Sequence, residues 1–130
     1  MKQIYLIAAV GRRGQLGLGG RLPWRDPEDL RFFKMMTTGG QVIVGRGTID
    51  ALPMLHGRKV LVDNKVFTPE AFLEEHTDAD SPIWIAGGAK TYARYLHLVR
   101  RFFVTKVDYD GDADAWMPPL WQQPSFLQQV

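Results

Sequence analysis

Asp29 is the strongest candidate in this sequence for a functional acid, because of its residue type and its neighbours. Asp26 can cap a helix, and Pro27 suits the first helical position, so the sequence predicts a helix from residue 27. Asp29 lies one helical turn before Phe33, and Trp24 precedes the helix. The carboxylate is therefore expected beside an aromatic ring. It either takes part in chemistry there or is present only because acids are favoured in the first turn of a helix.

Two glycine-rich turns, each with a basic residue, offer a second kind of chemistry. Residues 45–48 follow the apolar run 41–44, and residues 87–90 follow the apolar run 82–86. Thr48 is the predicted N-cap of a following helix. The free N–H groups of such turns can hold phosphate, and an open parallel sheet binds a dinucleotide diphosphate at the carboxyl ends of its strands. The two turns together predict a dinucleotide site.

The elements that must position these groups indicate an α/β fold. The segment 4–10 is apolar throughout, which is typical of a strand buried on both faces of a parallel or mixed sheet. Thr68 and Pro69 open a short helix, and another helix follows the second glycine turn. We expect one domain over residues 1–130, an open, mostly parallel twisted sheet with helices on both faces and strands at residues 4–10, 41–44, 58–62, 82–86 and 101–108.

Residues 11–22 form a long, glycine-rich and basic segment without apolar periodicity. A loop of this length in a compact domain is usually a lid or binding loop, or else disordered, and we favour a mobile lid. The small Ala8 and Ala9 before it allow either close helix packing or a flat ring against the backbone. Thr105 is predicted to lie buried on the last strand, where a β-branched residue is also favoured for its own sake.

Composition argues against several classes of protein. The longest apolar run is far too short to span a membrane, and no cysteine is present for a disulfide or thiolate site. None of the three histidines has a metal-site spacing with acids, so we expect no metal. The net charge of +2 is mild and no aromatic stripe accompanies the arginine pairs, so neither nucleic acid nor membrane is an expected partner. The absence of cysteine is compatible with a cytoplasmic location.

Placed together, these segments resemble the dihydrofolate reductase family over residues 1–118. The spacing of Pro23, Trp24 and Asp29 is the most specific shared feature. The other matching stretches occur in the family's order at residues 7–9, 16–17, 42–48, 57–59, 85–90, 92, 105 and 111–112. The resemblance implies a cytoplasmic enzyme of one-carbon metabolism and an antifolate target. It would use NADPH to reduce 7,8-dihydrofolate to tetrahydrofolate by hydride transfer to pterin C6.

The resemblance also implies a role for each matching position. Asp29 would hold the amidine-like edge of the pterin through two hydrogen bonds, with a pKa raised by apolar neighbours. Thr105 would bridge Asp29 and the ring, and Trp24 would fix a water molecule. The implied catalytic residues are Asp29, Trp24, Leu22 and Thr105. The implied substrate-binding residues are Ile7, Ala8, Leu30, Phe33, Leu52, Leu55, Arg58, Ala86 and Tyr92, with Arg58 on the carboxylate of the glutamate tail.

The implied cofactor site draws on the lid and on both glycine turns. Ala9 and Leu16 would offer backbone partners to the nicotinamide carboxamide, and a cis peptide would join Gly87 and Gly88. The implied cofactor-binding residues are Ala9, Leu16, Gly17, Gly45, Arg46, Gly47, Thr48, Asn64, Gly87, Gly88, Ala89, Lys90 and Thr91. Asp63 would repel the 2′-phosphate of NADPH whereas Arg46 and Lys90 would attract it, which favours NADPH modestly.

Two departures from the family pattern concern the sheet edges. The chain is short between residues 62 and 82, where an edge strand is expected to be missing. After residue 118 only Phe126–Val130 could replace the family's long hairpin over the Thr105 strand. Because an uncovered edge promotes aggregation, we expect the tail or a second subunit to pair there, giving a monomer or a homodimer.

Two other functions fit parts of the pattern. A pyrimidine reductase of riboflavin synthesis has the same fold and a similar glycine turn but lacks the proline–tryptophan–acid element. A shortened, non-catalytic nucleotide-binding relative would explain the reduced edges.

Overall fold

A five-stranded parallel sheet forms the centre of the molecule in the computed structural model, which describes residues 2–50 and 57–118. The strands are β1 (Ile4–Val10), β2 (Gln15–Gly17), β3 (Gln41–Val44), β4 (Lys59–Val62), β5 (Ile83–Ile85), β6 (Arg101–Lys106) and β7 (Ala115–Trp116). The helices are α1 (Pro27–Thr37), α2 (Arg46–Ile49), α3 (Pro69–His76) and α4 (Ala89–Tyr95), with a 3-10 turn at Leu96–Leu98. The strand order is β4-β3-β5-β1-β6, and β2 and β7 form a separate antiparallel pair.

Strand β1 is apolar at every position because both of its faces are covered. Leu6, Ala8 and Val10 pack on one face with residues of α3 and α4, such as Phe72. Ile7 packs on the opposite face, against the side of the sheet that α1 covers. Helices therefore lie on both faces of a parallel sheet, as the sequence predicts.

Helix α1 begins where its start residues predict. The Asp26 side chain accepts hydrogen bonds from the backbone N–H groups of Glu28 at 3.0 Å and Asp29 at 3.2 Å, and Pro27 occupies the first turn. Thr68 caps α3 in the same way, through the N–H of Ala71 at 3.1 Å. These caps are local, so the sequence alone suffices to place them.

Helix α2 differs from its prediction because it starts earlier. Gly45 is its N-cap, and Thr48 lies inside the helix rather than at its cap. The Gly45 backbone is extended, at φ −76° and ψ 159°, and its carbonyl oxygen accepts the N–H groups of Thr48 and Ile49, which starts the helix. The strand bounds otherwise differ from the predicted ones by one or two residues at some ends, as at Lys106 in β6.

The lid and the tail correct two further expectations. Residues 15–17 of the predicted irregular lid form β2, which pairs with β7. Ala115–Trp116 is thus a paired segment near the end of the described chain that the sequence did not predict. The alternation in β2 and β7 is too short to be recognised from the sequence.

The predicted cover of β6 involves residues 126–130, which lie outside the described residues. Within residues 2–50 and 57–118, β6 is paired with β1 and β4 is the opposite edge of the sheet. None of the helices in these ranges has the length and apolar character that a membrane crossing needs.

Candidate active site

A cleft of about 630 Å³ opens at the carboxyl ends of β1, β3 and β5. This is the edge at which open α/β sheets bind their ligands. Most of the predicted site residues line it: Ile7, Ala8, Ala9, Leu16, Gly17, Leu22, Trp24, Asp29, Leu30, Phe33, Gly47, Thr48, Ala86, Gly87, Gly88, Ala89 and Tyr92. Leu52 and Leu55 lie outside the described residues.

Asp29 enters the cleft from the first turn of α1. Burial raises the pKa of its carboxyl from 3.8 to about 6, and the nearby negative charge of Asp26 adds to the rise. The Thr105 hydroxyl acts in the opposite direction and lowers this pKa. Asp29 therefore changes its protonation close to neutral pH, which is a property of groups that handle protons.

Two buried polar atoms near this acid lack protein partners. Trp24 Nε1 and Thr105 Oγ1 are both buried, and neither has a partner at full hydrogen-bond geometry among the described residues. The Thr105 hydroxyl is near enough to Asp29 to lower its pKa but does not complete a hydrogen bond to it. The Trp24 ring packs against Tyr109 with ring centroids 5.4 Å apart, and Thr105 lies opposite Ala9 in the β1–β6 register. Buried polar groups are normally satisfied, so these two atoms point to a ligand or a bound water as their partner.

Tyr92 closes the floor of the cleft from α4. Its hydroxyl is buried and donates a hydrogen bond of 2.8 Å to the carbonyl oxygen of Ile7. Burial, followed by the charge of Asp29, raises the pKa of this phenol above its ordinary value. Tyr92 therefore stays protonated and acts as a fixed donor.

The two glycine turns touch each other at the other end of the cleft. The N–H of Gly45 donates a hydrogen bond of 2.8 Å to the carbonyl oxygen of Gly87, and the Gly87–Gly88 peptide is cis, as the resemblance implies. A Cβ on Gly45 would come within 2.6 Å of Thr91 Oγ1, and one on Gly88 within 2.9 Å of Thr48 Oγ1. Glycine at these two positions therefore leaves room for the Thr91 and Thr48 side chains.

Both turns also leave backbone N–H groups available. Gly45 and Gly88 are the N-caps of α2 and α4, and neither cap has a side-chain hydrogen bond. Gly47, Thr48, Gly88 and Ala89 line the same cleft as Asp29. The first-turn N–H groups of two adjacent helices can hold the diphosphate of a dinucleotide, so the residues present fit such a cofactor.

Several predicted site residues lie outside the lining of the cleft. Arg58 is bound to the C-terminal end of α1, where it donates to Thr37 Oγ1 at 2.8 Å, to Thr38 Oγ1 at 3.0 Å and to the Lys34 carbonyl. Asn64 accepts a hydrogen bond of 3.0 Å from the N–H of Val66 in a local turn. The other predicted residues outside the lining are Gly45, Arg46, Lys90, Thr91 and Thr105.

Asp63 differs from its expected behaviour as an anion that repels the 2′-phosphate. Its side chain is 4% exposed and forms an ion pair with Arg94 at 2.8 Å. The Tyr95 hydroxyl donates to it as well, at 2.7 Å. The negative charge is therefore compensated inside the protein, so Asp63 is not a free anion that would repel a phosphate.

Sequence reasoning missed part of the cleft. Arg21, Arg25 and Asp26 line it next to the predicted Leu22 and Trp24, and Asp114 and Ala115 line it from the segment before and within β7. The N–H of Gly19 donates to Asp114 Oδ2 at 3.0 Å, which joins the lid to that segment. The proximity of Arg21 and Arg25 to Trp24 in sequence was the available indication; nothing local indicated the residues near β7.

Comparison with known proteins agrees with this geometry. The dihydrofolate reductase family model matches residues 3–128. Dihydromethanopterin reductase of Methylorubrum extorquens is 35% identical over 93% of this chain and 94% of its own length. Dihydrofolate reductase of Mycobacterium leprae is 38% identical over 92% of this chain and 83% of its own.

A solved structure shares the fold. Dihydrofolate reductase from Enterococcus faecalis, complexed with NADP(H) and RAB-propyl, superposes with a TM-score of 0.79 at 23% identity, covering 89% of this chain and 77% of that one. The match of the family model over nearly the whole chain establishes the relationship. The chain belongs to the dihydrofolate reductase family.

Proposed function

We propose that this protein reduces 7,8-dihydrofolate to 5,6,7,8-tetrahydrofolate with NADPH. The observation that carries the proposal is Asp29, a half-buried acid with a pKa of about 6 in the same cleft as the two glycine turns. One cleft thus holds an acid suited to a pterin and a backbone cradle suited to a dinucleotide. The family membership supports the same pairing.

The pterin side of the proposal rests on three groups. Asp29 would accept two hydrogen bonds from the amidine-like edge of the ring, an arrangement that a carboxylate provides. The Thr105 hydroxyl and Trp24 Nε1, which lack protein partners among the described residues, would bind the ring or a water beside it. Leu30 and Phe33 line the cleft next to Asp29 and would pack against the flat heterocycle.

The cofactor side rests on the glycine turns and the lid. Gly47, Gly88 and Ala89 would hold the diphosphate through backbone N–H groups, and Thr48, whose N–H donates to the Gly45 carbonyl at 3.0 Å, would contribute its hydroxyl. Ala9 and Leu16 would bind the nicotinamide carboxamide through their backbones. Arg46 and Lys90 are exposed and have no ion pair within the described residues, and Asp63 is neutralised by Arg94, so the local charge favours the phosphorylated cofactor.

The chemistry needs alignment, a dry site and one proton. NADPH supplies the hydride for pterin C6 when it is bound. Apolar residues of the cleft, with Leu22 and Trp24 on the side of residues 11–22, would exclude water from a ring bound beside Ala8 and Ala9. Asp29 changes protonation near neutral pH and would favour proton delivery to pterin N5 through water.

A second candidate substrate is a dihydropterin with a different arm, of the kind that dihydromethanopterin reductase is named for. That relative matches this chain over 94% of its own length, whereas the Mycobacterium leprae dihydrofolate reductase is matched over 83%. The chain is therefore closer in extent to the dihydromethanopterin enzyme. The pterin head and its contact with Asp29 would be the same in both cases.

Oxidation of NADPH with each dihydropterin tests the proposal. We expect turnover with dihydrofolate, slower turnover with NADH, and a loss of at least about a hundredfold in Asp29→Asn, since a positioned acid–base group contributes this much. Glu28→Gln is the matched control, because Glu28 is exposed in the same helical turn and lies outside the cleft lining. Equal rates for wild type and Asp29→Asn would reject the assigned role.

The same assay separates the other readings. Preference for dihydromethanopterin over dihydrofolate would assign the second substrate. Turnover of the ribosylamino-pyrimidine of riboflavin synthesis without dihydropterin turnover would contradict both substrates. NADPH binding with no turnover of any of the three would identify a non-catalytic relative.

A further inference from the structure

Two arginines line the rim of the cleft and have no assigned role. Arg21 and Arg25 flank the Leu22–Trp24 segment, and both line the cavity that holds Asp29. Both are exposed, and neither side chain makes an ion pair or hydrogen bond to any described residue. Two cations at the mouth of a binding cleft are thus available to a ligand.

The acids that share this rim are already engaged. Asp26 accepts the N–H groups of Glu28 and Asp29 at the start of α1. Asp114 accepts the N–H of Gly19. Each carboxylate accepts these backbone donors through one oxygen, and within the described residues neither forms an ion pair with Arg21 or Arg25, so the two guanidinium groups are not compensated through direct contact.

The arginine that the family resemblance assigns to an anionic group is placed differently. Arg58 lies outside the cleft lining and donates to Thr37, Thr38 and the Lys34 carbonyl at the end of α1. The cations that face the cleft itself are therefore those of the rim. An anionic substituent on a ligand in the cleft would meet them first.

We propose that Arg21 and Arg25 form an anion-binding rim that contacts a phosphate or carboxylate group of a ligand held in this cleft. Four residues of extended chain span at most about 14 Å, and both side chains are long, so one ligand can reach both guanidinium groups. A guanidinium binds phosphate and carboxylate bidentately, which gives direction as well as charge. The proposal rests on the proposed function, because it assigns a binding role to the ligands of that reaction.

Two sources carry this chemistry, and the experiment distinguishes them. The anion is either a carboxylate or phosphate on the arm of the dihydropterin or the diphosphate of NADPH. The variants are Arg21→Gln, Arg25→Gln and their combination. Arg31→Gln is the matched control, because Arg31 is an exposed arginine of α1 outside the cleft lining.

Two measurements are made on each variant. The first is the ratio of kcat/KM for dihydrofolate to kcat/KM for a dihydropterin with only a methyl group at C6. The second is the Kd of NADPH from quenching of tryptophan fluorescence, which needs no turnover. In the double variant we expect either the kcat/KM ratio to fall about tenfold or the Kd of NADPH to rise about tenfold, which is what the loss of two solvent-accessible charge contacts allows. The change should become smaller at high salt, because salt screens these charges.

A lower kcat/KM ratio assigns the rim to the pterin arm, and a higher Kd assigns it to the cofactor. If neither changes in the double variant, or if Arg31→Gln has the same effect, the rim has no such role. Failure of the proposed function is a separate result, since it appears as absence of turnover in wild type while the NADPH titration still tests the rim.

Discussion

The hydroxyl of Tyr92 lies 2.8 Å from the carbonyl oxygen of Ile7, to which it donates a hydrogen bond across 85 positions of sequence. Helix α4 is thereby joined to β1 at the floor of the cleft. The contact is buried, so water does not replace the hydroxyl as the partner of the Ile7 carbonyl oxygen when the hydroxyl is removed.

Tyr92→Phe removes this donor, and we expect it to lower the free energy of unfolding by about 1–2 kcal/mol, the usual cost of an unsatisfied buried partner. Tyr109→Phe is the control, since the Tyr109 hydroxyl donates to the Asp112 carbonyl in an exposed setting where water can replace it. Urea denaturation of both variants measures the difference. An equal loss in the two would contradict a special contribution from Tyr92.

The raised pKa of Asp29 predicts a pH-dependent stability. The pKa of the Asp29 carboxyl is 3.8 in an unfolded chain and about 6 in the folded protein. Between pH 3.8 and about pH 6 the folded protein therefore keeps a proton on Asp29 that the unfolded chain has released. The free energy of unfolding therefore falls as the pH rises through this window.

Asp29→Asn lacks this titration and should gain stability relative to wild type as the pH rises from about 4 to about 7. The measurement is the difference between the urea midpoints of variant and wild type across that range. All other titrating groups are common to the two proteins, so their contributions to the pH dependence cancel in this difference. A difference that stays constant with pH would show that Asp29 titrates normally.

Gly45→Ala tests the contact between the glycine turns. The backbone of Gly45 is extended, at φ −76° and ψ 159°, so alanine is tolerated there except for the clash of its Cβ with Thr91 Oγ1. We expect lower stability and weaker NADPH binding, with the stability recovered in the Gly45→Ala/Thr91→Ala double variant. Gly47→Ala is the stability control, since a Cβ at Gly47 meets nothing within 4 Å.

Failure of Thr91→Ala to rescue Gly45→Ala would show that the damage does not arise from this clash. Thermal melting and NADPH titration measure the two effects separately.

The ion pair of Asp63 and Arg94 predicts an asymmetry between single and double variants. Arg94→Met leaves the buried Asp63 carboxylate without its cation and should cost about 2–3 kcal/mol of unfolding free energy, below the range for fully buried pairs because Arg94 is partly exposed. Asp63→Asn/Arg94→Met should recover most of that loss. The exposed His97–Glu70 pair is the comparison, and Glu70→Gln should have no measurable effect.

The local chemistry of the chain accounts for the parts of the site that were predicted. Asp26, Pro27 and Thr68 place helix starts through contacts within a few residues, so their pattern is legible in the sequence. The helical spacing of Asp29 and Phe33 likewise puts both in one cleft. The unbroken apolar run of β1 was enough to indicate a strand covered on both faces.

What only the tertiary structure decided depends on groups far apart in the chain. The partners of Asp63 and Arg58, the β2–β7 pair and the direct contact of Gly45 with Gly87 each join elements whose relative positions no local pattern specifies. The resemblance implies the direction of the rise in the pKa of Asp29, but the size of that rise is of the same kind. Residue types supplied the acid and the glycines, but burial and charge compensation are sums over all neighbours, and these exist only when the sheet is assembled.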